Sequence, residues 1–476
     1  VADLPAGADG AGVTDEDVPV QTYWLETLGC PKNQVDSDKL VGTLTADGMV
    51  AAASPEDADL VVVNTCAFIE PARRESVDTI LALDDVRRPG ARLVVTGCMA
   101  ERYGAELAEA LPEVDAVVGF GVPVTLTLGR PATGPAVDSA RLDLLNLPRP
   151  RSEAPWAYVK VAEGCDRTCG FCAIPSFRGK QRSRAEASIL EEVEALQAEE
   201  IVLVAQDLAS YGRDVGRKGA IVPLVEAVAA RVRRVRLLYL YPSELDDRLV
   251  DAICATGLPY FDLSLQHVSK PLLRRMRRWG DGDRFLRRIA SIRDREPDAA
   301  FRTSFIVGYP GETEDDHDLL LRFLEEAQLD WAGFFAYSPE AGTHAAGLDG
   351  AVDEAVVAER MWELAELQDS ITLRRREALV GSTIEVLVDE PGVGRSHREA
   401  PEIDGVVNLT GGFATGTFAT VTVTGAAGVD LEATALPAIG LRPADVRPAD
   451  VRPTDVRRTD VRPTDARPRP IDVTAV

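Results

Sequence analysis

Short apolar runs alternate with amphipathic stretches along most of the chain. Between Gln21 and about Gly121, the runs Thr22 to Leu28, Leu60 to Asn64 and Leu93 to Thr96 are each followed by apolar positions at helical spacing. Strands that each lead into a helix predict an open parallel sheet. A loop with Pro131, Gly134 and Pro135 then runs through Pro148 and Pro150, which places a boundary near residue 150. Beyond it the alternation returns, with strands read at Ala157 to Ala162, Ile201 to Ala205, Val235 to Tyr241, Tyr260 to Leu265, Phe301 to Val307 and Trp331 to Tyr337. Six βα units predict an open (βα)6 partial barrel rather than a closed eight-unit one.

A helical stretch from about Asp353 to Leu379 closes that section. After Gly381 the period changes to strand alternation, as in Thr383 to Val388 and Phe418 to Val423, with Gly and Pro turns between. This predicts a small all-β barrel ending near Leu436. Both ends lack such patterns. Residues 1–20 carry five acids and no base without periodicity, and from Leu441 a five-residue repeat sets in (LRPAD, VRPAD, VRPTD, VRRTD, VRPTD) whose Pro and regular Arg/Asp alternation oppose a core. The expected organisation is therefore a disordered tail over 1–20, an α/β domain over 21–125, a linker over 126–150, a barrel core over 151–378, a β-barrel over 379–437 and a disordered tail over 438–476.

Composition adds little to the fold and more to the partners. At 476 residues, with 45% apolar and 27% charged residues, the chain suits several soluble domains, each able to bury a core. No run approaches the roughly 18 apolar residues of a membrane span, and no basic-then-apolar leader opens the chain, so a cytoplasmic protein without a membrane partner is expected. The formal net charge of −25 favours basic partners over polyanions. The small barrel sharpens that expectation: Leu379 to Pro437 holds eight acids (Glu385, Asp389, Glu390, Glu399, Glu402, Asp404, Asp430, Glu432) and two arginines (Arg395, Arg398).

Candidate chemistry lies in the cysteines, seven in all and too few for a secreted disulfide scaffold. Gly164-Cys165-Asp166-Arg167-Thr168-Cys169-Gly170-Phe171-Cys172 follows a predicted strand with C-x3-C-x2-C spacing. Three thiolates on one short loop can each hold one iron of a cubane cluster and leave the fourth iron open. A structural zinc site would want four closed ligands in C-x2-4-C pairs, which this triplet lacks. Cys30, Cys66 and Cys98 each follow a strand of the N-terminal sheet, and ligands of parallel sheets gather at the carboxyl ends of strands. Their convergence predicts a second three-thiolate cluster. Cys254 stands alone in an amphipathic helix and reads as core.

These motifs resemble a known family. TLGCPKNQVDSDKL (27–40), NTCAFIEPARRES (64–76), TGCMAERY (96–103), EGCDRTCGFCAIPSFRGKQRSR (163–184), AQDLASYG (205–212), SLQHVSKPLLRRMRR (264–278) and RTSFIVGYPGETEDD (302–316) look like the radical S-adenosylmethionine (SAM) methylthiotransferases. The resemblance covers about Gln21 to Leu436. It implies a flavodoxin-like N-terminal domain, a radical SAM core and a C-terminal TRAM barrel. Cys-Pro-Lys-Asn at 30–33 and Ile-Pro-Ser-Phe-Arg-Gly at 174–179 are similar to the RimO branch, which modifies an aspartate of ribosomal protein uS12 (S12); the tRNA-modifying MiaB-like branch more often has Cys-Gln-Met-Asn and Pro-Tyr-Thr-Arg-Gly.

By that resemblance, two 4Fe-4S clusters are expected, one on Cys30, Cys66 and Cys98 and one on Cys165, Cys169 and Cys172 with SAM on its open iron. A reduced cluster would cleave SAM to methionine and a 5′-deoxyadenosyl radical, with the electron drawn from a low-potential donor such as flavodoxin or ferredoxin. A second SAM would methylate a sulfur on the other cluster. Gln206, Asp207, Gln266 and Gly308 sit at strand ends facing the barrel mouth and are candidates for SAM or substrate contact, with His267 beside them. Gly308 to Thr313 also reads simply as a strand-to-helix turn with Thr313 as N-cap. The run Arg274, Arg275, Arg277, Arg278 reads as a solvated helix face, with contact to ribosomal RNA or a SAM carboxylate as the alternative. No histidine is assigned to metal, and no catalytic residue beyond the clusters. Methylthiolation of tRNA adenosine and a non-catalytic iron-sulfur sensor or ribosome assembly role are the competing functions; tRNA is not the expected partner.

Overall fold

The segment Leu60–Thr65 is buried along its whole length, and its side chains alternate between two apolar layers. Val61 and Val63 join Ile80, Leu93 and Val95 on one face, while Leu60 and Val62 join Leu40, Leu44 and Val94 on the other. A strand covered on both faces belongs at the centre of a parallel sheet. In the computed structural model, which describes residues 21–125 and 142–436, it is the middle strand of five: β1 (Thr22–Thr27), β2 (Val50–Ala51), β3 (Leu60–Thr65), β4 (Arg92–Gly97) and β5 (Ala116–Val117). All neighbours pair parallel in the order β2-β1-β3-β4-β5, the flavodoxin-like order. The helices α1 (Pro31–Ala46), α2 (Glu70–Val86) and α3 (Cys98–Ala110) follow β1, β3 and β4. The two-residue edge strands β2 and β5 are too short to leave a period in the sequence. The two expected tails and residues 126–141 of the expected linker lie outside the described residues.

The described chain forms two compact units. The first holds 21–125, 142–151, 163–165 and 173–180; the second holds 152–162, 166–172 and 181–436. In the second unit the six expected strands are present as β6 (Trp156–Lys160), β7 (Glu200–Val204), β8 (Arg234–Leu237), β9 (Tyr260–Gln266), β10 (Ala300–Val307) and β11 (Trp331–Ala336). They pair parallel in two halves, β8-β7-β6 and β9-β10-β11, joined by a bridge between Leu240 and Leu263. The result is an open partial barrel. Its interior and helix-facing residues form one continuous core that includes Val159, Leu203, Leu237, Leu265, Phe301 and Phe305. The long helix Glu354–Glu377 packs on this side of the chain, and five further strands, β12 (Thr383–Glu390), β13 (Val393–Arg395), β14 (Val407–Thr410), β15 (Phe418–Ala427) and β16 (Asp430–Ala435), close a small barrel in the order β12-β13-β14-β16-β15.

The small barrel is anchored by charge at the amino-terminal ends of the six strands. Glu200, the first residue of β7, is fully buried and paired with Arg236 at 2.8 Å and with Arg395 at 3.2 Å. Burial pushes the Glu200 carboxyl up, but Arg395, Arg236 and Arg234 outweigh it and hold the group below its ordinary range. Arg395 also forks onto Asp389 at 2.6 and 2.9 Å, and Arg236 donates to the carbonyls of Ser396 and His397. Tyr158 donates to the Pro401 carbonyl, Tyr260 to Asp404, and Trp331 to the Arg398 carbonyl.

This narrows the expectation of an acidic barrel face. Glu385 pairs with Arg233 and Arg234, Asp389 with Arg395, Glu399 with Arg376 and Asp404 with Arg302. Half of the barrel's eight acids are thus answered by arginines of the unit itself. The composition of 379–437 thus reports in part an ionic joint through Asp389, Glu399 and Asp404. Because breaking a buried ion pair strands its partners, Arg395→Met is expected to destabilise the second unit by about 3–5 kcal/mol in chemical denaturation, with Glu200 and Asp389 left uncompensated.

Candidate functional site

Three chain reversals bring Cys30, Cys66 and Cys98 to the carboxyl edge of the first unit's sheet. Gly29 and Gly97, each directly before a cysteine, both adopt φ of +91°, a region that side-chain-bearing residues avoid. The turns are also crowded: a Cβ on Gly29 would stand 2.8 Å from Cys66 Cβ and 2.9 Å from its Sγ, and one on Gly97 would stand 2.6 Å from the backbone of Thr65. Asn33 ties the three turns together. Its amide donates to the carbonyls of Leu28 and Thr65, and its Oδ1 accepts from Arg178 at 2.6 Å and faces Cys98 Sγ at 3.5 Å. Asn64 returns the link by donating to the Asn33 carbonyl and to Ser37 Oγ. The Cys66 N–H donates to Ser76 Oγ at 3.1 Å.

Arg178 is the charged centre of this site. Its Nε and Nη2 lie 3.3 and 3.0 Å from Cys98 Sγ, and its Nη1 donates to both Glu163 oxygens at 2.9 Å and to Asp36 at 3.2 Å. Phe120 stacks on the guanidinium, 4.6 Å from its centroid. Burial pushes the Cys66 thiol up to about 12, reinforced by Cys98 and Cys30, and burial raises Cys98 against the pull of Arg178. Cys30 moves the other way: burial pushes it up, but Lys32, Arg178 and the backbone N–H groups of Asn33 and Lys32 together lower it. Three thiolates in so dry a place require a cationic partner, and a cubane that takes each thiolate to a separate iron meets that need. Among the described residues no three His, Cys, Asp or Glu side chains are drawn in around a single-ion position.

In the second unit, the loop carrying Cys169 and Cys172 is held at the carboxyl end of β6. Gly170 donates to the Met276 carbonyl at 2.8 Å and accepts from Ala345 at 2.8 Å, and the Cys172 N–H donates to the Cys169 carbonyl at 3.2 Å. Arg278 Nη1 lies 3.2 Å from Cys169 Sγ, and its ring neighbour is Tyr241 at 4.3 Å. Arg167, between the cysteines, is gripped by Asp207 at 2.6 Å, by Ser210 and Glu244 at 3.1 Å, and by the Tyr241 ring at 3.9 Å. Cys165 belongs to the first unit, where its N–H donates to the Gly179 carbonyl at 3.1 Å.

The strand-end candidates divide by environment. Asp207 is buried and turns one oxygen to Arg167 and Ser210, so it supports the cysteine loop. Gln206 is half-buried beside it. Gln266 has φ of +71° where the pairing of β9 with β10 shifts register, a strained backbone at the end of a barrel strand. Gly308 donates its N–H to Glu312 at 2.6 Å, and a Cβ there would meet Val357 at 2.4 Å. Thr313 is the N-cap of helix Glu314–Ala327, in a capping box with Asp316. His267 is fully buried and accepts from the Ser269 N–H at 3.0 Å. The run at 274–278 is not a uniformly solvated face, because Arg275 donates to the Pro310 carbonyl and Asp349 and Arg278 turns in to Cys169. Cys254 is half-buried and packs against the core, as expected.

Comparison with known proteins agrees with this layout. Residues 22–119 match the model of an uncharacterized protein family, UPF0004, residues 159–324 that of the radical SAM superfamily, and residues 380–436 that of the TRAM domain. The chain is 43% identical to the ribosomal protein uS12 methylthiotransferase RimO of Cutibacterium acnes, over 82% of this chain and 92% of that one. It is 43% identical to RimO of Salinispora tropica, covering 85% and 90%, and 41% identical to RimO of Streptomyces coelicolor, covering 82% and 92%. The chain belongs to the RimO family. Among solved structures, the radical SAM methyltransferase TsrM of Kitasatospora setae is similar with a TM-score of 0.46 and 14% identity, over 74% of this chain and 89% of that chain.

Within this RimO-family chain, the side chains that reading the sequence missed are the arginines. Arg178 lies in the quoted Ile-Pro-Ser-Phe-Arg-Gly motif and Arg167 inside the cysteine loop, but nothing in their spacing shows a thiol or a carboxylate as partner. Gly29→Ala is expected to displace Cys66 and strain the turn, so that iron and sulfide bound on anaerobic reconstitution fall towards half the wild-type content. His267 supplies a pH dependence. Burial lowers it from 6.5 to about 4, so it is neutral when folded; stability is complete above about 6.5 and is lost as pH falls towards 4. In urea denaturation the His267→Asn variant should lose roughly 3 kcal/mol less than wild type across that window.

Proposed function

We propose that this protein adds a methylthio group to the β-carbon of an aspartate of ribosomal protein uS12. The observation that carries the reading is the relationship to RimO proteins at 43% identity across 82% of the chain. The three domains fall at 21–125, 151–378 and 379–437, the last being the TRAM barrel. Cys30, Cys66 and Cys98 would hold one 4Fe-4S cluster, and Cys165, Cys169 and Cys172 the other, the one that serves SAM. Supporting this are the gathered, electrostatically coupled thiols of the first unit and the C-x3-C-x2-C spacing of the loop. When bound, these groups supply one-electron cleavage of SAM and a transferable sulfur, chemistry that no side chain offers at an unactivated carbon.

The protein's own residues orient and screen. Arg167, clamped by Asp207 and Glu244, fixes the loop between its cysteines, and Arg278 and Arg178 each present N–H groups to one thiol. Gln206, Asp207, Gln266 and Gly308 stand at strand ends, where SAM or the substrate aspartate meets the barrel. The protein works in a reducing cytoplasm with a low-potential donor such as flavodoxin or ferredoxin, and without tRNA or a membrane; among the described residues no helix is long and apolar enough to cross one.

Mass spectrometry of uS12 and of tRNA hydrolysates from a deletion strain tests the substrate. Loss of one methylthio group from uS12 alone is expected; its loss from tRNA instead would overturn the assignment. Cys169→Ala should abolish 5′-deoxyadenosine formation, whereas Cys66→Ala should retain it and lose sulfur insertion.

A further inference from the structure

Three arginines stand beside the cysteine sites, and two of them carry their own counter-charge. Arg178 presents two N–H groups to Cys98 and is paired with Glu163 at 2.9 Å and with Asp36 at 3.2 Å. Arg167 is paired with Asp207 at 2.6 Å and with Glu244 at 3.1 Å. Arg278 has no such partner. Its Nη1 lies 3.2 Å from Cys169 Sγ, its Nη2 donates to the Ser264 carbonyl, and it makes no ion pair among the described residues. Its Nε is out of solvent and meets no acceptor, so the guanidinium is held there against the cost of an unmet donor. Two features hold it. Arg277, directly before it, has φ of +56°, a left-handed turn that few side-chain-bearing residues adopt, and stays exposed while Arg278 turns in. The buried Tyr241 ring takes the Arg278 guanidinium at 4.3 Å from its centroid, and its hydroxyl accepts from the N–H of Trp279, the next residue, at 3.4 Å.

We infer that Arg278 raises the reduction potential of the cluster on the Cys169 loop, through an unneutralised charge and an N–H group at one thiolate, and that Tyr241 positions it. The inference rests on the reading, proposed above, that this loop holds a reducible cluster. Reduction adds one electron, and so one negative charge, to the cluster, with no bond made or broken. A cation fixed beside a ligating sulfur stabilises the reduced form more than the oxidised form, which raises the potential. A guanidinium already paired with two carboxylates brings no net positive charge, so Arg167 fastens its loop without this effect. Mechanical support alone does not call for Arg278. The loop is already tied by Gly170 to Met276 and Ala345 and by the Cys172 N–H to the Cys169 carbonyl.

The test is a redox titration of the full-length reconstituted enzyme with dithionite, monitored by electron paramagnetic resonance and following the cluster signal that added SAM perturbs. Arg278→Met should keep its iron and move that midpoint to lower potential. At the wild-type midpoint the ratio of reduced to oxidised cluster should fall about tenfold, equal to about 59 mV for one electron. Tyr241→Leu removes the ring but no charge and should shift the midpoint the same way. Tyr241→Phe keeps the ring and should match wild type, and Arg278→Lys keeps the charge and should recover most of the shift. The signal that SAM leaves alone should hold its midpoint in every variant. An unchanged midpoint in Arg278→Met would overturn the proposal. So would loss of SAM-sensitive iron in both Arg278→Met and Tyr241→Leu with no shift in what remains, which would make the arginine a mechanical clamp. If no wild-type signal responds to SAM, the reading of a SAM-serving cluster fails instead, an outcome distinct from the others.

Discussion

Charge buried away from water must be answered locally, and in this protein the answer is an arginine at each critical place. Arg178 meets Cys98 on one side and Glu163 and Asp36 on the other. Arg278 meets Cys169. Arg395 meets Glu200 and Asp389 where the small barrel joins the partial barrel. The planar fork of guanidinium reaches two or more acceptors at fixed angles, which a lysine ammonium does not.

The same constraint gives the partial barrel two different ends. At the amino-terminal ends of the strands, Glu200, Arg234, Tyr260 and Asp330 are sealed by the segment around 395–404. At the carboxyl ends, the Cys169 loop, Gln266 and Gly308 remain set in turns with left-handed backbone or close packing. Buried ion pairs are concentrated at one end and the strained turns at the other, a division in keeping with barrel folds in general. The first unit repeats the logic in a flat sheet, where two glycines in left-handed turns and one asparagine bring three cysteines to one edge.

Much of this was legible in the chain. The strand Leu60–Thr65 is apolar and largely β-branched from Leu60 to Val63, and such a run suits a buried parallel strand. The six barrel strands, the capping threonine Thr313 and the strand-end positions of Cys30, Cys66 and Cys98 follow from local period and local turn chemistry, because both depend on neighbours a few residues away. The edge strands Val50–Ala51 and Ala116–Val117 were not legible, since two residues carry no period.

What only the tertiary structure decided is which charges meet. Glu399 and Arg376 or Glu200 and Arg395 are far apart in sequence, and net charge counts each as though it faced solvent. The acidic composition of the small barrel therefore suggested a surface that folding consumes in part, while the run at 274–278 suggested a solvated face from which folding draws Arg275 and Arg278 inward. Periodicity and spacing determined the elements and the thiol sets because they are local properties. The partners of the arginines came from long-range packing, where the cost of an unpaired buried charge, rather than any sequence pattern, selects the contact.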